Sequence, residues 1–297
     1  AQCISENICE PILLGHTKRI NAVKEELGLE FECESIDVRY DPRRRGSYAK
    51  EFHKLRGRKG LTMEDSIRLL KTTTYFGPMM VHMGDADGYL GGISHNYPDI
   101  VKPCLQTIGP AIDTHRIVGM YMMTVNGQLM FIGDATINIY PDSRTLAEIA
   151  VQTAKVARRF GVKPKVAMLS FSNFGTSGEM RTDRIEEAIE MAREIDPGIV
   201  IDGPMQADTA LIEEIQENYP FMEFDGPANV LICPNLASAN IAYKLLQRVA
   251  GAEMTGPILE GLAKPAHVLQ RDDSVREVVH MAAICAVDAQ RHATQKL

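Results

Sequence analysis

KVAMLSFSNFGTSGEM, residues 165–180, decides how this chain is read. The apolar run at 165–172 has the length of a buried strand, and turn residues close it. A Ser/Gly/Thr turn follows, and 179–195 then reads as a helix. Working outward, the same alternation continues. A helix at 143–160 precedes the strand. Downstream come a strand at 198–203, a helix at 206–217, a strand at 229–235 and a helix at 237–249. A strand at 256–263 and a helix at 274–290 close the chain.

Upstream, 11–15 reads as a strand and 17–27 as a helix. Residues 46–83 read as helices broken near Gly60 and at 72–74. DGYLGG (87–92) is a short strand entering a glycine turn, and 98–108 is a helix that carries Lys102. The runs 116–125 and 128–135 flank Asn126-Gly127, a strong hairpin signal. Strands alternating with helices point to an α/β protein with largely parallel sheets covered by helices. A weak boundary signal lies near residues 110–114.

The 297 residues are 45% hydrophobic and 24% charged, an ordinary soluble composition with room for a sizeable core. No run approaches the ~18 apolar residues a membrane span needs. A net charge of −7 argues against general nucleic-acid binding, which leaves a basic footprint. The six cysteines, at 3, 9, 33, 104, 233 and 285, form no C-x-x-C pair. They read as reduced, mostly buried thiols of a cytoplasmic protein, with no metal site. The opening AQCISENICEPILLG carries no signal-peptide pattern and reads as part of a longer polypeptide.

Ligands of parallel α/β sheets sit at the carboxyl ends of the strands, so the strand-to-helix turns are where chemistry is sought. In SFSNFGTSGEM (170–180), Ser172, Gly175 and Thr176 are candidate phosphate contacts, because backbone N–H groups and a helix start can cradle an anion. The alternative is a plain turn with hydroxyl caps. PNLASAN (234–240) supplies Asn240 as a further candidate. PRRRGSYAKEFHKLRGRK (42–59) holds eight of the 32 Lys and Arg residues. Most of these read as a solvated helix face, with Arg56 the exception. No Walker loop, G-x-S-x-G, H-E-x-x-H or G-x-G-x-x-G motif is present. The eight histidines show no ligand spacing and read as structural.

Taken together, LRGRKG (55–60), YFGPMMVHMGDADGYLGG (75–92), KPCLQTIG (102–109), PKVAMLSFSNFGTSG (164–178), DGPMQADTAL (202–211), GPANVLICPNLASANIAYKLLQR (226–248) and GPILEGLAKP (256–265) carry a resemblance. They resemble, in order and over nearly the whole chain, the phosphate acetyltransferase and phosphate butyryltransferase family. The resemblance implies two α/β domains of the isocitrate/isopropylmalate dehydrogenase-like kind, with mainly parallel sheets and a cleft between them. The first would comprise 1–112 plus 258–297, and the second would be inserted at 113–257. It also implies pairing of two copies through the second domain, and transfer of an acyl group between coenzyme A and phosphate without a metal.

The family's site residues carry over unevenly. Arg56 keeps the arginine of the L-R-x-x-K-G stretch. Lys102 stands where the family has arginine, which keeps the charge but loses the bidentate fork. Where the family reads Ser-Arg-Gly, this chain reads Gln270-Arg271-Asp272. Glu277 takes the place of the aspartate proposed as base, one methylene longer. Tyr97 adds bulk after His95. This pattern, together with MQAD (205–208), SNFGTS (172–177) and PNLASANIAY (234–243), is similar to the C-terminal phosphotransacetylase-like domain of large bacterial NADP-dependent malic enzymes. In that branch the domain follows a malic enzyme module, which holds NADP and a divalent metal and decarboxylates malate to pyruvate. The domain itself binds acetyl-CoA as a regulatory ligand. The leading expectation is therefore acetyl-CoA sensing. The alternative is active acyl transfer, with Glu277 as base and Arg56, Lys102, Gln270 and Arg271 on acetyl phosphate. A purely oligomerising domain is the third.

Overall fold

In the computed structural model, which describes residues 1–112, 114–174 and 183–294, the chain forms two compact units. One comprises Ala1–Thr114 and Leu262–Leu297, and the other His115–Gly261. The fold is α/β with mixed, mostly parallel sheets.

The first unit is mainly helical. A short helix, α1 (Gln2–Ser5), leads to β1 (Leu13–Leu14) and α2 (Thr17–Glu26). The strand β1 pairs in parallel with β2 (Ser35–Ile36). Asp41 caps α3 (Pro42–Arg56) by accepting from the Arg44 N–H at 3.0 Å, with Pro42 at the first helical position. A 3₁₀ turn follows and stops at Gly60, whose φ of 87° suits glycine alone. Thr62 then caps α4 (Met63–Leu69), and α5 (Thr73–Met83) ends on left-handed Gly84. A core of Tyr48, Phe52, Leu70, Phe76 and Met79 fills the space between α3, α4 and α5.

Behind α5, β3 (Tyr89–Gly91) pairs in parallel with β10 (Ala266–Val268), and α6 (Tyr97–Thr107) packs on α5. No strand is expected at 266–268, between the strand expected at 256–263 and the helix expected at 274–290. The stretch is a strand because it finds β3 and turns three buried residues inward. Gly92 makes this junction. A Cβ there would lie 1.9 Å from the Leu269 carbonyl oxygen, and φ is 143°. The long helix α12 (Val275–Thr294) completes the unit.

The second unit is built on six strands in the order β7-β6-β8-β5-β4-β9. The hairpin β4 (Val118–Val125) and β5 (Gln128–Gly133) turns at Asn126 and Gly127, both at positive φ, as a tight hairpin requires. β5, β8 (Val230–Ile232), β6 (Val166–Leu169) and β7 (Ile201–Met205) run parallel. β9 (Glu253–Glu260) pairs antiparallel with β4, so β4 alone runs against the other five. Their carboxyl ends therefore share one edge. The helices α7 (Ser143–Arg159), α8 (Asp183–Ile195) and α11 (Leu236–Val249) cover the sheet, and strands buried on both faces explain the continuous apolar runs.

Most elements shift by a few residues from their sequence-based bounds, and two of the differences have a clear cause. The strand expected at 256–263 is β9, which begins at Glu253 because Glu253 pairs with Thr124. It ends before Gly261, whose φ is 96°. The helix expected at 206–217 is two pieces, α9 (Ala207–Leu211) and α10 (Glu213–Gln216), parted at extended Ile212. The buried Gln216 amide donates to the Thr209 and Ala210 carbonyls that the break leaves free. Of the six thiols, Cys104, Cys233 and Cys285 are buried and the other three are half-buried. No helix among the described residues is long and apolar enough to cross a membrane.

Candidate functional site

The first unit carries three basic side chains, Arg56 at the end of α3, Lys102 on α6 and Arg271 after β10. At the start of α6 Arg271 donates to the Oδ1 of Asn96, the N-cap residue, at 3.4 Å. Lys102 is exposed in its middle. One turn further on, Gln106 accepts from the Tyr75 hydroxyl at 2.7 Å. Burial raises the Tyr75 pKa, and the Arg56 guanidinium opposes that rise. Arg56, Lys102 and Arg271 form no ion pair among the described residues. In a chain with 39 acids and 32 Lys and Arg, cations left without carboxylates are available for an anionic ligand.

The loop between β10 and α12 carries the rest. Leu269 donates to the Gly91 carbonyl at 2.8 Å, which fixes the loop's start. The Gln270 N–H donates to Asp273 Oδ2 at 2.7 Å. The Ser274 N–H donates to Glu277 Oε2 at 2.6 Å, and the Glu277 N–H donates back to the Ser274 hydroxyl at 3.3 Å. This reciprocal pair is a capping box for α12. Glu277, the base candidate, thus has one carboxylate oxygen engaged and one left. The Ser-x-x-Glu spacing at 274–277 is the sequence signature of such a box.

Asp273 is a residue that sequence reasoning passed over. Half burial pushes its pKa up to about 6, and the charges of Glu277 and Asp272 add to the rise. The Gln270 N–H works against it. The loop therefore holds a carboxyl that titrates within reach of neutral pH. Two other charged groups of the stretch 264–279 are structural. Lys264 Nζ donates to the Val81 and His82 carbonyls at 2.6 and 2.9 Å, closing the end of α5. His267 is buried, with Nε2 3.3 Å from Asp288 Oδ2.

The second unit gathers its polar turns at the carboxyl edge of its sheet. Ser172 and Asn173 follow β6 and are buried. The Asn173 side chain accepts from the Gln206 N–H at 2.7 Å, and its Nδ2 donates to Gln206 and to the Tyr219 hydroxyl. This pins the turn after β6 to the turn after β7. Gly175 and Thr176 lie outside the described residues. Asn240 donates to the Ala135 carbonyl at 3.3 Å, while Asn235 caps α11. A further residue, Asp134, sits at this edge after β5. It is buried and accepts from the N–H groups of Gly119, Ile137 and Asn138. Burial raises its pKa, and those donors counter the rise. Asp134 organises the turn; its signal is Asp-x-x-x-Asn directly after an apolar run.

A site of unpaired cations beside a titrating carboxyl suits binding of a phosphate and stabilisation of an oxyanion. A family model described as "Phosphate acetyl/butaryl transferase" matches residues 1–286. Phosphate acetyltransferase of Corynebacterium glutamicum is 36% identical, over 97% of this chain and 88% of its own length. NADP-dependent malic enzyme of Salmonella typhimurium is also 36% identical over 97% of this chain, but the match spans 39% of that enzyme. Among solved structures, a phosphotransacetylase from Streptococcus pyogenes gives a TM-score of 0.91 at 34% identity, covering 98% of this chain and 89% of that one.

Proposed function

This chain belongs to the phosphate acetyl/butaryl transferase family, and on that premise we propose that it moves an acyl group between coenzyme A and phosphate. The observation that carries the reading is a set of three cations, Arg56 at the end of α3, Lys102 on α6 and Arg271 after β10, which lack carboxylate partners among the described residues. The thiol of coenzyme A gives its proton to the free oxygen of Glu277, and the thiolate attacks the acyl carbon. The C–S bond forms, the bond to the phosphate oxygen breaks, and phosphate leaves. Arg271 and Arg56 hold the phosphate and the developing oxyanion, Lys102 adds charge, and Gln270 lies beside Arg271. Acyl transfer is favoured over sensing because the first relatives and the similar solved structures are phosphate acetyltransferases and phosphotransacetylases.

A second reading, acetyl-CoA sensing within a malic enzyme, is supported by the malic enzyme similarity and by the engagement of Glu277 in the helix cap. In that reading NADP, a divalent metal and malate belong to an N-terminal malic enzyme domain of the same polypeptide. Formation of acetyl-CoA from acetyl phosphate and CoA separates the two readings. Turnover that Arg271→Ala abolishes supports transfer. Saturable acetyl-CoA binding without turnover supports sensing.

Either reading takes a second copy as partner. On α11, Ile241, Leu245 and Val249 are exposed at four-residue spacing, an apolar stripe on the second unit that suits pairing.

A further inference from the structure

The first unit holds a cavity of about 700 Å³ that the proposed reaction does not use. It opens where two parallel strands end. Gly15 and His16 of its wall follow β1, and Asp37, Val38 and Arg39 follow β2. The carboxyl ends of parallel strands are where α/β sheets leave room for ligands. Lys18 and Arg19, in the first turn of α2, border the cavity, as do Lys71 and Thr72 at the entry to α5. Arg56, Lys102, Gln270, Arg271 and Glu277 are not among its lining residues.

The wall is net positive. Lys18, Arg19, Arg39 and Lys71 are cations, and Asp37 is the carboxylate among them. Asp37 is already taken: Arg39 Nε and Nη2 donate to it at 3.0 and 2.8 Å. Those bonds, above all, hold its pKa at about 2. Lys18, Arg19 and Lys71 have no ion pair among the described residues.

Two helix starts add to this. Neither His16 before α2 nor Thr72 before α5 makes a side-chain cap bond, and neither first turn contains an acid. A helix start carries roughly half a positive charge, so Lys18 and Arg19 set like charge on like. The arrangement weakens α2 until an anion joins it. Local rules broken without compensation inside the chain mark sites that a ligand completes.

The cavity lies within the roughly 300–1,000 Å³ that holds small organic ligands, far more than one phosphate group needs. No Phe or Tyr ring lines it, so charge more than stacking selects the ligand. We propose that this cavity binds a diphosphate-bearing or bisphosphorylated small molecule, held by Arg19 and Lys18 at the start of α2 and by Lys71 at the start of α5.

Calorimetric titration of the protein with inorganic pyrophosphate at low salt tests this. The expected result is saturable binding that weakens about tenfold or more in Arg19→Glu and in Lys71→Glu, since each removes a charge-assisted contact. Arg271→Ala, in the other site, leaves the affinity within about twofold, because distant sites act independently. Both substituted positions are exposed, so the variants keep the fold, and Arg19→Gln gives a milder check. No saturable binding by the unmodified protein overturns the proposal. So does unchanged affinity in Arg19→Glu and Lys71→Glu, or an equal loss in Arg271→Ala.

Discussion

Ser274 and Glu277 cap α12 by exchanging hydrogen bonds: the Ser274 N–H donates to Glu277 Oε2 at 2.6 Å, and the Glu277 N–H donates to the Ser274 hydroxyl at 3.3 Å. The side chain positioned to take a proton in the proposed reaction therefore also starts a helix. The two roles come apart on substitution. Glu277→Gln keeps an oxygen for the Ser274 N–H but loses the basic carboxylate. It melts within a degree or two of the unmodified protein and turns over about 100-fold more slowly, the usual scale for a positioned acid–base group. Glu277→Ala loses both, and its stability falls by about 1 kcal/mol as well. Melting curves and initial rates on the same samples give both readouts.

Lys102→Arg restores a planar fork at an exposed position on α6. A guanidinium binds phosphate through two parallel bonds where an ammonium acts as a point charge. The KM for acetyl phosphate is expected to fall several-fold, and the melting temperature to stay unchanged.

The Asp273 carboxyl has its pKa raised from 3.8 to about 6, chiefly by burial. The folded state therefore holds a proton that the unfolded chain releases. The stability this group contributes is fully present below about pH 4 and is lost as pH rises through about 6. Asp273→Asn keeps an oxygen to accept from the Gln270 N–H and does not ionise. Its stability relative to the unmodified protein should therefore rise between pH 4 and pH 7. Denaturant midpoints across that range check this; a constant offset would show that Asp273 does not titrate there.

Gly92 is required by two independent features, its φ of 143° and the approach of the Leu269 backbone. Gly92→Ala combines backbone strain with a clash against main chain that cannot rotate away. Destabilisation of about 3 kcal/mol or more is expected, with loss of the loop that carries Arg271. Circular dichroism melts of the variant read the loss.

The parts of this fold legible in the sequence are those whose signal is local and long. The Asn126-Gly127 hairpin, α7 and the runs that become β5 and β8 announce themselves through turn chemistry and unbroken apolar stretches. The two-residue strands β1 and β2 and the three-residue β10 are too short for any periodicity, and they exist because a partner strand is present. The break at Ile212 carries no Gly or Pro; it is held by Gln216, whose buried amide is a tertiary contact. In the site, Arg56, Lys102 and Arg271 were legible through the family resemblance. The capping role of Glu277 was legible in Ser-x-x-Glu but was hidden by the catalytic reading. The raised pKa of Asp273 depends on burial by residues distant in sequence. The cationic cavity at the start of α2 is assembled from three separate segments, and no single stretch displays it.

The central claim is acyl transfer supported by cations that lack carboxylate partners. Its most direct measurement is the rate at which the protein forms acetyl-CoA from acetyl phosphate and CoA, compared with that of Arg271→Ala. The account predicts turnover by the unmodified protein and a rate about 100-fold or more lower in the variant, the scale for losing a donor to a developing oxyanion. No thioester formed by the unmodified protein, with acetyl-CoA still binding saturably, would contradict it and leave acetyl-CoA sensing as the function.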